Sequence, residues 1–217
     1  MIQNRLADSL CRAELSPSED ASICYSSSFD YIFDLQMHKS DEKFGDTRNS
    51  VVYPLVKIGN KIWMGANLNY KDSTMSFARC YGVFENSIND ICDEMGFLYN
   101  FESAKNACPE GFHLPRKDEL EEFIRKVGEN DSRRLKTQTG WKEQYNGTNS
   151  LGFSANGAGY FHNAANGYDL ELEYLGLWSS TQEGMDNAYV LAINRNLPIS
   201  IEIDDIDDGY SIRCIRD

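Results

Sequence analysis

Few residues in this chain have the types and spacing that catalysis needs. Histidine, the usual proton carrier near neutral pH, occurs only as His38, His113 and His162. His113 sits beside a predicted helix start, a position that suits a hydrogen-bonding core residue better than a base. Gly152-Phe153-Ser154-Ala155-Asn156 sets a serine two residues after a glycine but lacks the second glycine of a nucleophile elbow. The six cysteines, Cys11, Cys24, Cys80, Cys92, Cys108 and Cys214, include no C-x-x-C pair. Cysteines and histidines do not group at zinc-ligand spacing either, which argues against zinc and thioredoxin-like redox chemistry. An even count in an acidic, Ser- and Asn-rich chain fits disulfides in an oxidising compartment. Many pairings remain open from sequence. The favoured set is a local loop Cys80–Cys92, a clasp Cys108–Cys214 from mid-chain to the last strand, and Cys11–Cys24. The competing reading is six reduced thiols, several of them buried as small apolar residues.

Two other groupings carry chemistry. Glu202, Asp204, Asp205, Asp207 and Asp208 offer hard oxygen ligands of the kind calcium takes. They lack the spacing and glycine of an EF-hand loop, and a solvated turn explains them more simply, so calcium is not expected to be needed for folding. The stretch from about 131 to 176 is dense in Gly and Asn and rich in aromatics, without sustained periodicity. Long ordered loops of this sort are uncommon and usually functional. Rigid aromatic rings beside amides suit sugar rings or a protein partner. The candidate ligand-binding residues are therefore Tyr145, Asn146, Tyr160, His162, Asn163, Tyr168 and Gln182, with no catalytic residue, metal or cofactor expected.

The surrounding pattern shows what must position them. Residues 51–58 and 61–64 are β-prone and separated by Gly59-Asn60, a hairpin signal. Residues 100–108 predict a short helix capped by Asn100 and stopped before Pro109. Leu120, Phe123, Ile124 and Val127 recur at helical spacing from about Pro115 until Gly128 stops them, with Asp118 and Glu119 in the first turn and Lys126 in the last. Three alternating segments close the chain: Tyr189, Leu191 and Ile193; Ile199, Ile201 and Ile203; Tyr210, Ile212 and Cys214. Turns at 194–198 and 204–209 predict an antiparallel meander. The class is α+β. Residues 1–49, Ser-rich, acidic and turn-prone apart from one strand-like run at 29–35, are expected to form an N-terminal extension to a domain over 50–217.

Composition narrows the function. The chain has 217 residues, a net charge of −13, 41 % hydrophobic and 12 % aromatic residues. That is too apolar for disorder and long enough to bury its own core. The acidity argues against nucleic acid and anionic membranes, and no apolar run approaches the ~20 residues of a membrane span. No leader is visible: Met1-Ile2-Gln3-Asn4-Arg5 runs into polar residues, and Asp8-Ser9-Leu10 before Cys11 is a poor lipobox. Either the chain works in the cytoplasm or its leader has been removed. The cysteines favour the second, and with it an extracellular or cell-surface location.

A series of blocks then gives a family. Val56-Lys57-Ile58-Gly59-Asn60-Lys61-Ile62-Trp63-Met64 runs on to Asn67-Leu68-Asn69-Tyr70, followed by Gly96-Phe97-Leu98-Tyr99 and Cys108-Pro109-Glu110-Gly111-Phe112-His113-Leu114-Pro115. Gly152-Phe153-Ser154-Ala155, Trp178-Ser179-Ser180-Thr181 and Gly209-Tyr210-Ser211-Ile212-Arg213-Cys214 complete it. In this order the blocks resemble the Fibrobacter succinogenes major paralogous domain, a bacterial secreted or surface module. The resemblance implies a C-type-lectin-like fold, with two helices, an antiparallel sheet and a long irregular loop region. It also supports Cys108–Cys214, because lectin-like domains join a helix to the last strand in this way, and it places Trp63 and Trp178 inside. Phe112 and Leu120 stand where the family usually has Trp, Asn156-Gly157 where it has Leu-Pro, and Asp207-Asp208 in a turn that is often basic. The calcium motifs of sugar-binding lectins are missing: no proline falls between Pro115 and Pro198, and Ser179-Ser180 follows Trp178. The His-Leu-Pro helix start and terminal Arg-Cys also resemble formylglycine-generating-enzyme relatives, which work through a cysteine pair that three disulfides would use up. The expectation is a non-enzymatic binding module for carbohydrate or a surface protein. A structural or adhesive surface scaffold is the alternative, and an enzyme the weakest reading.

Overall fold

The computed structural model describes residues 42–81 and 91–217. The strand-like run at 29–35, the Cys11–Cys24 pair and His38 lie outside the described residues.

The predicted Gly59-Asn60 turn joins β2 (Val52–Ile58) to β3 (Lys61–Met64), with Val56 opposite Trp63. β1 (Lys43–Gly45) pairs antiparallel with β2, so these residues, assigned by sequence to the extension, belong to the sheet. Later strands complete it in the order β1-β2-β3-β12-β6, where β6 is Phe112–His113 and β12 is Ile215–Arg216. A second sheet of three strands has the order β11-β10-β9: Ser200–Asp205, Asn187–Asn194 and Tyr174–Glu183. Two short pairs remain, β4 (Ala78–Arg79) with β5 (Leu98–Tyr99) and β7 (Tyr160–His162) with β8 (Gly167–Asp169). Among the described residues all strand pairs are antiparallel, and with three helices the fold is α+β.

The helices are α1 (Ile91–Met95), α2 (Phe101–Ala104) and α3 (Lys117–Val127). Asn100 caps α2 through a hydrogen bond accepted from the Ser103 amide, as its residue type predicts. α2 is one turn long, however, and the chain reaches Cys108 through turns rather than helix. α3 buries Leu120, Phe123 and Val127 and ends at Gly128, whose φ of 92° is open to glycine.

The terminal meander differs from its prediction in one strand. Its third member is β9, not residues 210–214, which make only isolated bridges to Tyr99 and Leu177 before β12. Residues 174–179 of β9 are all buried, so the strand shows no polar alternation and reads from sequence as part of the loop.

Alternation along β2, β9 and β10 feeds two cores. Tyr53, Leu55, Tyr174, Trp178, Val190 and Ala192 enter one with Tyr99, Phe101 and Tyr210. Val56, Ile58, Leu175, Leu177, Leu191 and Ile193 enter the other with Trp63, α3 and Phe153. Trp63 and Trp178 are fully buried, as expected. Cys80–Cys92 and Cys108–Cys214 are disulfides, as expected. No helix among the described residues is long and apolar enough to cross a membrane.

Candidate functional site

The seven predicted ligand residues fall into three places. Tyr160, His162, Asn163 and Tyr168 come together on the β7–β8 hairpin, a piece of regular structure inside the predicted loop. Tyr145 and Asn146 lie in and beside a 3-10 turn at Glu143–Tyr145, where they serve packing. Tyr145 lies against the second core, and Asn146 Oδ1 accepts from the Trp141 backbone amide at 3.2 Å. Gln182 sits exposed near the end of β9, donating to the Met185 carbonyl across the β9–β10 turn at 3.5 Å.

The hairpin is pinned by its backbone. Phe161 exchanges both backbone hydrogen bonds with Gly209, and the Asn163 amide donates to Asp208 Oδ1 at 2.8 Å. The chain then turns through Asn166, whose amide returns to the Asn163 carbonyl at 2.9 Å and whose φ of 47° suits asparagine.

One face of the hairpin is a tyrosine cluster. The Tyr160 ring stacks on Tyr210 with centroids 5.5 Å apart and planes 6° apart, and meets Tyr174 edge-on at 5.9 Å. Tyr210 and Tyr174 are buried and Tyr160 half-buried. The Tyr210 hydroxyl donates to Asp204 Oδ2 at 2.6 Å, and that of Tyr174 to Glu202 Oε2 at 3.2 Å. These bonds fix the orientation of two carboxylates beside the half-exposed ring. Asp169 stands opposite Tyr160 in the β7–β8 register. Burial, then Asp169, Asp204 and Asp208, raise the Tyr160 hydroxyl above its ordinary value, so it stays protonated and able to donate. Burial also raises Asp208, partly offset by the Asn163 amide and by His162, which lies 4.0 Å away. The His162 ring is exposed, and its Nδ1 accepts from the Ala165 amide at 3.3 Å.

The other side of the hairpin is a second aromatic group. Tyr168 packs against Phe161 at 5.2 Å and Tyr81 at 5.0 Å, and Phe77 against Phe161 at 4.8 Å. The Arg79 guanidinium lies 4.9 Å from the Phe77 ring centre and also bonds the Tyr168 side chain. Sequence reasoning missed Phe77, Arg79 and Tyr81, which come from a distant segment with no motif. It noted the acidic cluster around Asp204 but had no signal to place it beside Tyr160. The face presents an aromatic surface ringed by oriented carboxylates and exposed amide and imidazole groups. That combination accepts hydrogen bonds from hydroxyls while an apolar face rests on the ring.

Two features bear on catalysis and metals. Both ring nitrogens of His113 face carboxylates, Asp217 Oδ1 at 2.6 Å and Glu119 Oε2 at 3.0 Å, which fixes the ring in a bonded role. Among the described residues, no three His, Cys, Asp or Glu side chains converge as a metal ion requires.

The model of the family described as Fibrobacter succinogenes major domain matches residues 56–216. No curated protein and no solved structure matches the chain.

Proposed function

The chain belongs to the Fibrobacter succinogenes major domain family, and from that premise we propose that it is a non-enzymatic, extracellular or cell-surface module that binds carbohydrate through the β7–β8 hairpin. The observation that carries this reading is the half-buried Tyr160 ring, backed by Tyr210 and bordered by Asp204 and Asp169. A rigid ring costs little entropy on binding, and carboxylates already oriented, Asp204 by the Tyr210 hydroxyl and Asp169 by the Leu170 amide, need little rearrangement to take sugar hydroxyls. The four described cysteines are all paired, which favours the non-enzymatic, oxidising-compartment reading over thiol catalysis of the formylglycine-generating kind. The Cys108–Cys214 clasp, tying the segment after α2 to the chain just before β12, supports a C-type-lectin-like fold.

A screen against neutral glycans and plant polysaccharides tests the reading, with Tyr160→Ala and His162→Ala compared against Tyr145→Ala. Losing one aromatic contact of this kind is expected to weaken binding about tenfold. Tyr145→Ala, outside the face, is expected to bind as the parent does. If nothing in the screen binds, or if binding ignores Tyr160, the carbohydrate reading falls. A surface-protein ligand or the structural and adhesive reading then takes its place. The two disulfides and the densely bonded middle of the chain already suit a stable scaffold.

A further inference from the structure

After α2 the chain turns through Lys105 and Asn106 to the Cys108–Cys214 bridge, then forms β6 and runs by Leu114 and Arg116 into α3. Ser180 of β9 is drawn to this segment by its amide, which donates to the Pro115 carbonyl at 2.7 Å. Asp217 is held there by its own amide, donating to the Gly111 carbonyl at 3.0 Å, and by His113. Between these pieces lies an open cleft of about 640 Å³, within the range of about 300–1,000 Å³ typical of small-molecule sites. It shares no residue with the hairpin face.

The lining is unlike the rest of the molecule. In a chain of net charge −13, its charged groups are the cations Lys105 and Arg116 against the single carboxylate of Asp217. Arg116 is oriented by Asp118, at 3.1 Å from Nε, and by Glu119, at 3.4 Å from the terminal nitrogen that also bonds Asp118. Its other terminal nitrogen has no partner among the described residues. Among the described residues the one ion pair of Lys105 is with exposed Glu102, at 2.7 Å, and its ammonium lies 5.5 Å from the Phe101 ring centre. An exposed pair of this kind is worth little and leaves the Lys105 ammonium available. The Asn106 amide and the Ser180 hydroxyl also lack side-chain partners among the described residues, while Phe112 and Leu114 supply apolar wall.

We propose that this cleft is a second binding site that takes a short carboxylated sugar, a uronic-acid unit. Arg116 and Lys105 receive the carboxylate, and Asn106, Ser180 and Asp217 receive ring hydroxyls. The unpartnered terminal nitrogen of Arg116 can donate to one carboxylate oxygen, and the Lys105 ammonium can donate to the other. The excess negative charge elsewhere disfavours a long polyanion. His113, bonded at both nitrogens, positions Asp217 and takes no part as a base.

The test titrates the whole chain with digalacturonic acid and, separately, with the neutral galactose disaccharide, followed by calorimetry. Digalacturonic acid is expected to bind at least about tenfold more tightly than the neutral sugar, and K105Q/R116Q to lose about tenfold or more of that affinity. Both side chains are well exposed, so the thermal midpoint of the double variant should match the parent, and Asn106→Ala provides an independent second lesion in the same wall. Tyr160→Ala should leave this affinity unchanged, which separates the cleft from the hairpin face. No binding of digalacturonic acid overturns the proposal. Equal binding of the neutral sugar, or binding indifferent to both K105Q/R116Q and Asn106→Ala, overturns it as well.

Discussion

The two disulfides close loops of very different length, and that difference sets their worth. Cys108 and Cys214 are separated by 106 residues, Cys80 and Cys92 by 12. The loop-entropy relation gives about 4.8 kcal/mol for the first and about 2.8 kcal/mol for the second at 25 °C, because the unfolded chain loses freedom with the logarithm of loop length. The native state gives the longer bridge little else to do. β12 is already placed by the pairing of Ile215 with Trp63 and His113, and the Cys214 carbonyl accepts from the Met64 amide at 3.0 Å. Replacing both cysteines of each pair with alanine should therefore destabilise through the unfolded chain. C108A/C214A is expected to cost about 2 kcal/mol more than C80A/C92A, with a small addition for the sulfur lost at fully buried Cys214. Equilibrium unfolding in urea at neutral pH, with the denaturant slope compared between variants, measures both. Equal losses, or a larger loss from the short loop, would refute the entropic account and put native-state contacts at Cys80–Cys92 in its place. A typical domain has only about 5–15 kcal/mol in hand, so the longer bridge is a large share of stability.

Glu119 gives a pH-dependent test. Burial by itself raises its carboxyl, but the Arg116 amide, the Lys61 ammonium and His113 outweigh that and bring it down to about 2 from an ordinary 4.5. A depressed carboxylate stabilises fully above pH 4.5 and loses that contribution as pH falls toward 2, an interval equivalent to about 3 kcal/mol. Glu119→Gln should flatten the stability profile over that window, and parallel profiles for variant and parent would contradict it. Arg213→Met should cost about 3–5 kcal/mol in urea unfolding, because it strands buried acceptors on Asn67, Phe153 and Ser154. A loss below 1 kcal/mol would show that those acceptors find other partners. Gly176→Ala should cost about 2–4 kcal/mol, since a methyl group there runs into the Tyr210 ring behind Tyr160, and near-ultraviolet circular dichroism should register the displaced tyrosine. An unchanged spectrum and midpoint would mean the ring has room to move.

What the sequence disclosed followed from local physics. The Gly59-Asn60 hairpin, the Asn100 cap, the 3.6-residue stripe of α3 and the antiparallel pair β10–β11 are all set by neighbours in the chain, and all are present. β9 was hidden because a strand buried on both faces loses the period of two. Residues 210–214 alternate for a different reason: Tyr210, Ile212 and Cys214 enter the first core, while Ser211 and Arg213 reach buried polar partners. Burial of both sets imitates a half-exposed strand.

The irregular middle of the chain is where sequence and structure part over function, and two buried cations explain why. Lys136 is fully buried, donates to the carbonyls of Asn194 and Arg195, and lies 4.6 Å from the Trp141 ring centre. Burial, with Arg133 nearby, lowers its ammonium to about 8. Arg213, equally buried and lowered to about 9 by burial, holds the carbonyls of Phe153 and Ser154 and the side chain of Asn67. Neither has a carboxylate partner among the described residues, so Lys136 ties the irregular segment to carbonyls at the end of β10, and Arg213 holds carbonyls within the segment at Phe153 and Ser154. Bonding of that kind is how a Gly- and Asn-rich segment can be ordered without periodicity. Tyr145 and Asn146 sit in the part of the segment that Lys136 and Trp141 secure, Tyr145 half-buried against the second core and Asn146 Oδ1 bonded to the Trp141 amide. Tyr160, His162, Asn163 and Tyr168 sit beyond it, on a hairpin that instead borrows its partners from Gly209, Asp208 and Arg79. Loop composition marked both halves alike, because amides and aromatics serve internal satisfaction as readily as recognition. Only the long-range partners separate them: the first half rests on the second core, and the second half leaves the Tyr160 ring half-exposed beside Tyr210.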